Sequence, residues 1–167
     1  MKNVRNAEKK ADALLKALGI NTIPIPLDKI TSHFGITISH ELSENISGVL
    51  ITKGTTTVIG VNPSENHSRQ RFTIAHEIGH YILHKGDKNL FVDEVMFRSD
   101  KKDLRELEAN AFATALLMPE ELIDAEIKSL GEQPVKDMIT SLAQKFEVST
   151  VAMTYKLSNL GWISPDF

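Results

Sequence analysis

The sequence contains no cysteine. That absence excludes disulfides, thiolate metal sites and cysteine nucleophiles. No run approaches the roughly 18 consecutive apolar residues that a membrane span needs, so no membrane association is expected. The N-terminal stretch MKNVRNAEKKADALLKALGI carries charges but lacks the unbroken apolar centre of a secretory signal, and the expected location is cytoplasmic. An excess of one charge sign is missing too. A formal net charge of −3 exerts no general pull on nucleic acid or anionic lipid. What is present, 41% hydrophobic and 25% charged residues over 167 positions, suits a soluble globular protein with one core and room for a small appendage.

Residues 4 to 18 place Val4, Ala7, Ala11, Leu14, Leu15 and Leu18 at helical spacing ahead of Gly19. The prolines of IPIPLD interrupt that pattern, and a short helix from Leu27 to Phe34 is expected before Gly35. Three runs rich in Ile, Val and Thr follow: ITISHEL, SGVLITK and TTVIGVN. Their short connections predict an antiparallel meander. NPSENHS supplies turn and capping residues for a helix running to about His84. After an irregular stretch at 85 to 100, helices are expected over DLRELEANAFATALLMP and PEELIDAEIKSLG, then two more split at FEVS. Helices, strands, then helices argue for an α+β fold.

Within RFTIAHEIGH, His76 and His80 stand four apart with Glu77 directly after the first. With His76 set at zero on a helical wheel, His80 falls at about 40°, His84 at about 80° and Glu77 at about 100°. Ile74, Ala75, Ile78, Gly79, Ile82 and Leu83 occupy most of the other side. Two imidazoles at i and i+4 can share one tetrahedral zinc ion, and the glutamate between them is close enough to take a proton from a water beside it. The alternative is a helix that carries these polar residues by chance.

A metal site needs a third ligand, and no histidine follows His84. His84 itself lies a full turn beyond His80 and suits a group supporting a ligand from behind, capping the helix or facing an oxyanion. On the helix over 101 to 118, Glu108 projects from among Leu104, Ala111, Phe112 and Ala115, whereas Glu106 falls on the side of Asn110 and Ala113, where solvent is expected. A carboxylate in an apolar stripe must be paired, neutralised or metal-bound. A salt bridge would satisfy it. Metal ligation would as well, and the small Ala111 and Ala115 would admit a close approach to the histidine helix, so Glu108 is the expected third ligand. Asn110, at about 200° on the same wheel, is poorly aimed for a ligand histidine. No oxyanion stabiliser is singled out, since His84, His67, Arg98 and Tyr155 are all of suitable type.

HEIGHYILH followed by ELEANAFATALLMP resembles the ImmA/IrrE family of metallo-endopeptidases, and IPIPLDKITSHFGITI and LAQKFEVSTVAMTYKLSNLG match that family's usual layout. The resemblance implies a compact, minimal zincin-like domain with a small sheet beside the active-site helix, and one Zn2+ ion held by His76, His80 and Glu108 with Glu77 as base. It also implies a protein substrate of the kind these enzymes often cleave, a transcriptional repressor. The expected organisation is a zinc peptidase domain over 1–131 and a helical subdomain over 132–167 packed on it. That subdomain resembles a helix-turn-helix, with Ala143, Val148 and Leu157 at core positions. DNA binding is not expected, because Lys136, Lys145 and Lys156 are balanced by Asp137, Glu147 and Asp166. The competing expectation is a non-catalytic regulator that uses the same scaffold to bind a partner or DNA.

Overall fold

A computed structural model describes residues 2–43, 45–84 and 100–164. The chain runs α1 (Lys2–Ala17), α2 (Leu27–His33), β1 (Ile36–Ser39), β2 (Gly48–Lys53), β3 (Thr56–Val61), α3 (His67–His84), α4 (Asp100–Leu117), α5 (Glu120–Leu130), α6 (Val135–Phe146) and α7 (Thr150–Asn159). The α+β class is as expected. Of the irregular stretch expected at 85 to 100, residues 85 to 99, with Arg98 among them, lie outside the described residues, and Asp100 opens α4. No helix among the described residues is long and apolar enough to cross a membrane.

The sheet is not the expected meander. Its order is β1-β3-β2, with β1 parallel and β2 antiparallel to β3. The three strands still alternate in direction, but β3 lies between β1 and β2 rather than beyond β2. The two-residue turn at Gly54–Thr55 then folds β3 back between its predecessors, pairing Lys53 with Thr56 and Leu50 with Ile59. Burial explains the choice. Ile59 and Val61 are fully enclosed, whereas Ile51, Thr52 and Lys53 of β2 face solvent, as befits an edge strand ending in lysine.

One apolar cluster joins α1 (Ala7, Ala11, Leu15), the sheet, α3 and α4, and reaches α6 and α7 through Leu142, Phe146, Met153 and Leu157. Helix α3 starts where expected, because Asn66 Oδ1 accepts a hydrogen bond from the Arg69 backbone N–H at 2.9 Å. It lies against β2 and β3 on one side and α4 on another. The crossing with α4 is tight at Gly79, where an added Cβ would stand 3.2 Å from the Ala109 carbonyl oxygen and 3.2 Å from Phe112 Cδ1. At this point the small residues that let the helices meet are Gly79 and Ala109.

The far end of α3 is tied to the C-terminal helices. Arg71 donates to the Ile25 carbonyl at 2.9 Å and stands 3.4 Å from Glu147, which also pairs with His67 at 2.8 Å. Burial lowers the Arg71 pKa, opposed by the charges of Glu147 and Asp28.

Candidate metal centre

Three consecutive turns of α3 present His76, His80 and His84 toward α4. The Nε2 atoms of His76 and His80 are 2.9 Å apart. Glu106 of α4 reaches both, with Oε2 3.2 Å from His76 Nε2 and Oε1 3.2 Å from His80 Nε2. Among the described residues these three form the group able to hold a metal ion. The donors fit such an ion. Bonds of about 2.0–2.2 Å in a tetrahedron give edges of about 3.3 Å; the two imidazole nitrogens stand at a comparable separation, each faced by one oxygen of the same carboxylate, and three protein ligands leave one position open.

The carboxylate beside the two imidazoles is Glu106, whereas Glu108 was the one expected there. Glu108 turns instead to His84, with its Oε2 2.8 Å from His84 Nε2. The physical reason lies in the centring of α4. Leu104 is 41% exposed and does not belong to the buried stripe, whose members are Ala109, Phe112, Ala113, Ala115, Leu116 and Leu117. On the wheel their centre lies about 90° from Glu108, so Glu106 and Glu108 flank the buried face from opposite sides. Asn110, one turn after Glu106, places Oδ1 2.9 Å from His76 Nδ1 and accepts its hydrogen. Glu106 and Asn110 at i and i+4 were the legible signal for this edge of α4.

His84 is buried and lies 3.2 Å, Nδ1 to Nδ1, from His80. Of the other oxyanion candidates, His67 is engaged with Glu147, and Tyr155 is exposed on α7. Glu77 is buried at 5% exposure. Its neighbour across the cleft is Gly48 at the start of β2, where an added Cβ would overlap Thr73 Cγ2 and stand 3.2 Å from Glu77 Oε1. Gly48 therefore lets the edge strand reach the carboxylate, a role that a lone glycine in a strand does not advertise.

Electrostatics follow from this crowding. Burial pulls the His76 pKa down, but the hydrogen bond to Glu106, the charges of Glu77 and Glu106 and the Asn110 contact leave it raised. Hydrogen bonds from His76 and His80 hold Glu106 well below the usual carboxylate range. Burial, opposed by the hydrogen bond to Glu108, leaves His84 below its ordinary value. His76, Glu77 and Glu106 open onto a cleft of about 470 Å³ lined by Asn45, Ile46, Ser47 and Gly48 on one side and Arg69, Phe72 and Thr73 on the other.

A family described as the IrrE N-terminal-like domain, peptidase M78, matches residues 15–158. The chain belongs to this family. The IrrE N-terminal-like domain here is 38% identical over 103 residues to the radiation response metalloprotease IrrE of Deinococcus deserti, covering 60% of this chain and 36% of that protein. It is 37% identical over 103 residues to IrrE of Deinococcus radiodurans, covering 60% and 30%. With the metallopeptidase ImmA of Bacillus subtilis it shares 33% identity over 104 residues, covering 62% and 58%. The chain thus spans about a third of the IrrE proteins and somewhat more than half of ImmA. A solved Mycobacterium tuberculosis transcriptional regulator has a similar fold, with a TM-score of 0.61 at 18% identity, over 92% of this chain and 47% of that one. The likeness expected from HEIGHYILH and ELEANAFATALLMP therefore holds at the level of family, and the relatives named are metallopeptidases.

Proposed function

We propose that this domain is a zinc-dependent endopeptidase that cuts a specific intracellular protein, of the helix-turn-helix repressor class, in the cytoplasm. The observation that carries the reading is the convergence of His76 Nε2, His80 Nε2 and the Glu106 carboxylate on one point beside a buried Glu77. In this reading His76, His80 and Glu106 hold one Zn2+, and residues 132–167 brace the peptidase domain at 1–131. When bound, zinc supplies Lewis acidity toward the scissile carbonyl and toward water.

The remaining steps belong to the chain. Glu77 takes a proton from the attacking water and delivers it to the departing amine nitrogen, so that one water is added across the peptide C–N bond. Asn110 keeps a hydrogen on His76 Nδ1, leaving the Nε2 lone pair aimed inward. The edge strand β2 offers its backbone to an extended substrate by strand addition, and Gly48 allows that strand to run close to Glu77. Ile46 and Phe72 give the cleft apolar walls.

DNA is not a partner in this reading. Helix α7 has one lysine and no arginine, and it turns Val151 and Tyr155 outward at 64% and 69% exposure.

The test is Glu77→Gln in the purified chain, assayed for zinc content and for cleavage of a helix-turn-helix repressor encoded beside it. Zinc is expected to stay at one ion per chain while cleavage is lost. Undiminished cleavage by that variant would reject the mechanism.

A further inference from the structure

Behind the metal-facing side of His80 lies a chain of contacts that peptide hydrolysis does not use directly. Glu108 Oε2 is 2.8 Å from His84 Nε2, and His84 Nδ1 is 3.2 Å from His80 Nδ1. The two histidines are buried at 5% and 8% exposure, and the Glu108 side chain is 18% exposed. We propose that Glu108 and His84 form a positioning pair that fixes His80 as its Nδ1–H tautomer and so presents the His80 Nε2 lone pair to the metal. The inference rests on the reading of His76, His80 and Glu106 as metal ligands.

The direction of the chain follows from the number of hydrogens each group owns. An ionised carboxylate can only accept, so the hydrogen between Glu108 and His84 sits on His84 Nε2. A neutral imidazole has one N–H and one lone pair, so His84 Nδ1 is left as an acceptor. It faces His80 Nδ1, which must then carry the hydrogen. That leaves His80 Nε2 bare, and this is the atom found 2.9 Å from His76 Nε2 and 3.2 Å from Glu106. Reversing either ring would put a hydrogen where the next group also has one, or leave two lone pairs facing each other. Asn110 on the other histidine cannot dictate direction so firmly, because a carboxamide can offer either an oxygen or an N–H.

The spacing makes the arrangement possible. His76, His80 and His84 follow one another at successive turns of α3, while Glu106 and Glu108 flank the buried face of α4. One carboxylate therefore meets the metal-facing nitrogens, and the other meets the end of the histidine row. A carboxylate behind a ligand imidazole also raises its basicity and orients its ring, and losing such a partner weakens metal binding by about 10–100-fold.

The experiment measures zinc affinity of the full chain by competition with a chromophoric chelator, for the wild type and for His84→Leu, Glu108→Leu and His84→Gln. Both leucine variants are expected to bind zinc about 10–100-fold more weakly. His84→Gln should recover most of that loss, since its amide oxygen can accept from His80 while its amide N–H donates to Glu108. In parallel, long-range nitrogen–proton spectra of the histidine rings should show His80 as the Nδ1–H tautomer and His84 as the Nε2–H tautomer. Wild-type zinc affinity in His84→Leu, or a glutamine variant as weak as the leucine one, would overturn the proposal. If a leucine variant does not fold, the wild-type spectra decide, and an Nδ1–H tautomer at His84 is fatal. Failure of the underlying reading looks different: His76→Ala would then bind zinc as well as the wild type, and the pair would lose its role with it.

Discussion

At the scale of the residue, two glutamates two positions apart on α4 meet different partners. Glu106 stands between two imidazoles with both oxygens engaged, and Glu108 meets the ring of His84. Glu106→Gln should therefore weaken zinc binding by more than the roughly 10–100-fold that loss of an outer hydrogen-bond partner brings. Asn110→Leu should fall inside that range, through the freed His76 ring. Glu108→Gln should lose less than about tenfold, because its amide oxygen still accepts from His84. Chelator competition on the three variants checks the order, and a larger loss at Glu108 than at Glu106 would restore Glu108 as the ligand. The sequence made His76, Glu77 and His80 legible because all three lie within one helical turn, where spacing alone fixes geometry. The partner carboxylate comes from another helix, and its choice depended on which leucines are buried. Leu104 looks like a core residue and is exposed, so a wheel that counts it in the apolar stripe favours Glu108, whereas the folded chain sets Glu106 beside the two imidazoles.

At the scale of the element, the site depends on how closely α3 and α4 can cross. Alanine normally favours a helix over glycine by about 1 kcal/mol, so Gly79→Ala would stabilise an isolated α3. In the fold its methyl meets Ala109 and Phe112 at 3.2 Å, and overpacking of this kind costs about 1–3 kcal/mol. The expected net result is destabilisation by up to about 2 kcal/mol in urea unfolding of the zinc-free protein, together with weaker zinc binding as Glu106 is pushed from the imidazoles. A gain in stability would mean that this contact does not set the crossing. The helices were readable from periodicity and stop signals, down to the Asn66 cap. The sheet order was not. Directions alternate in both a β1-β2-β3 and a β1-β3-β2 sheet, and local pattern does not distinguish them. What separates the two is the exposure of Ile51, Thr52 and Lys53, which depends on the helices that cover the sheet.

At the scale of the whole molecule, the proposed metal centre would couple folding, pH and zinc. In the zinc-free protein the His76 pKa lies above its ordinary 6.5, so its contribution to stability is complete below that pH and is lost as pH rises through the raised value. Glu106 is held below its ordinary 4.5, so its contribution is complete above that pH and is lost as pH falls through the lowered value. The pair therefore stabilises the empty fold most between pH 4.5 and 6.5. Zinc bound at His76 would have to displace that proton, so its affinity weakens as pH falls below the raised His76 value. With zinc at about 100 times Kd, mass action adds about 2.7 kcal/mol, which in a domain of this size raises Tm by about 5–10 °C. Calorimetric scans should show a rise of that order near pH 8 and a much smaller one at pH 5.5. In Glu106→Gln the rise should shrink at every pH. A zinc-induced Tm shift that stayed constant from pH 5.5 to 8 would mean that no histidine proton is displaced, and His76 could not then be a ligand.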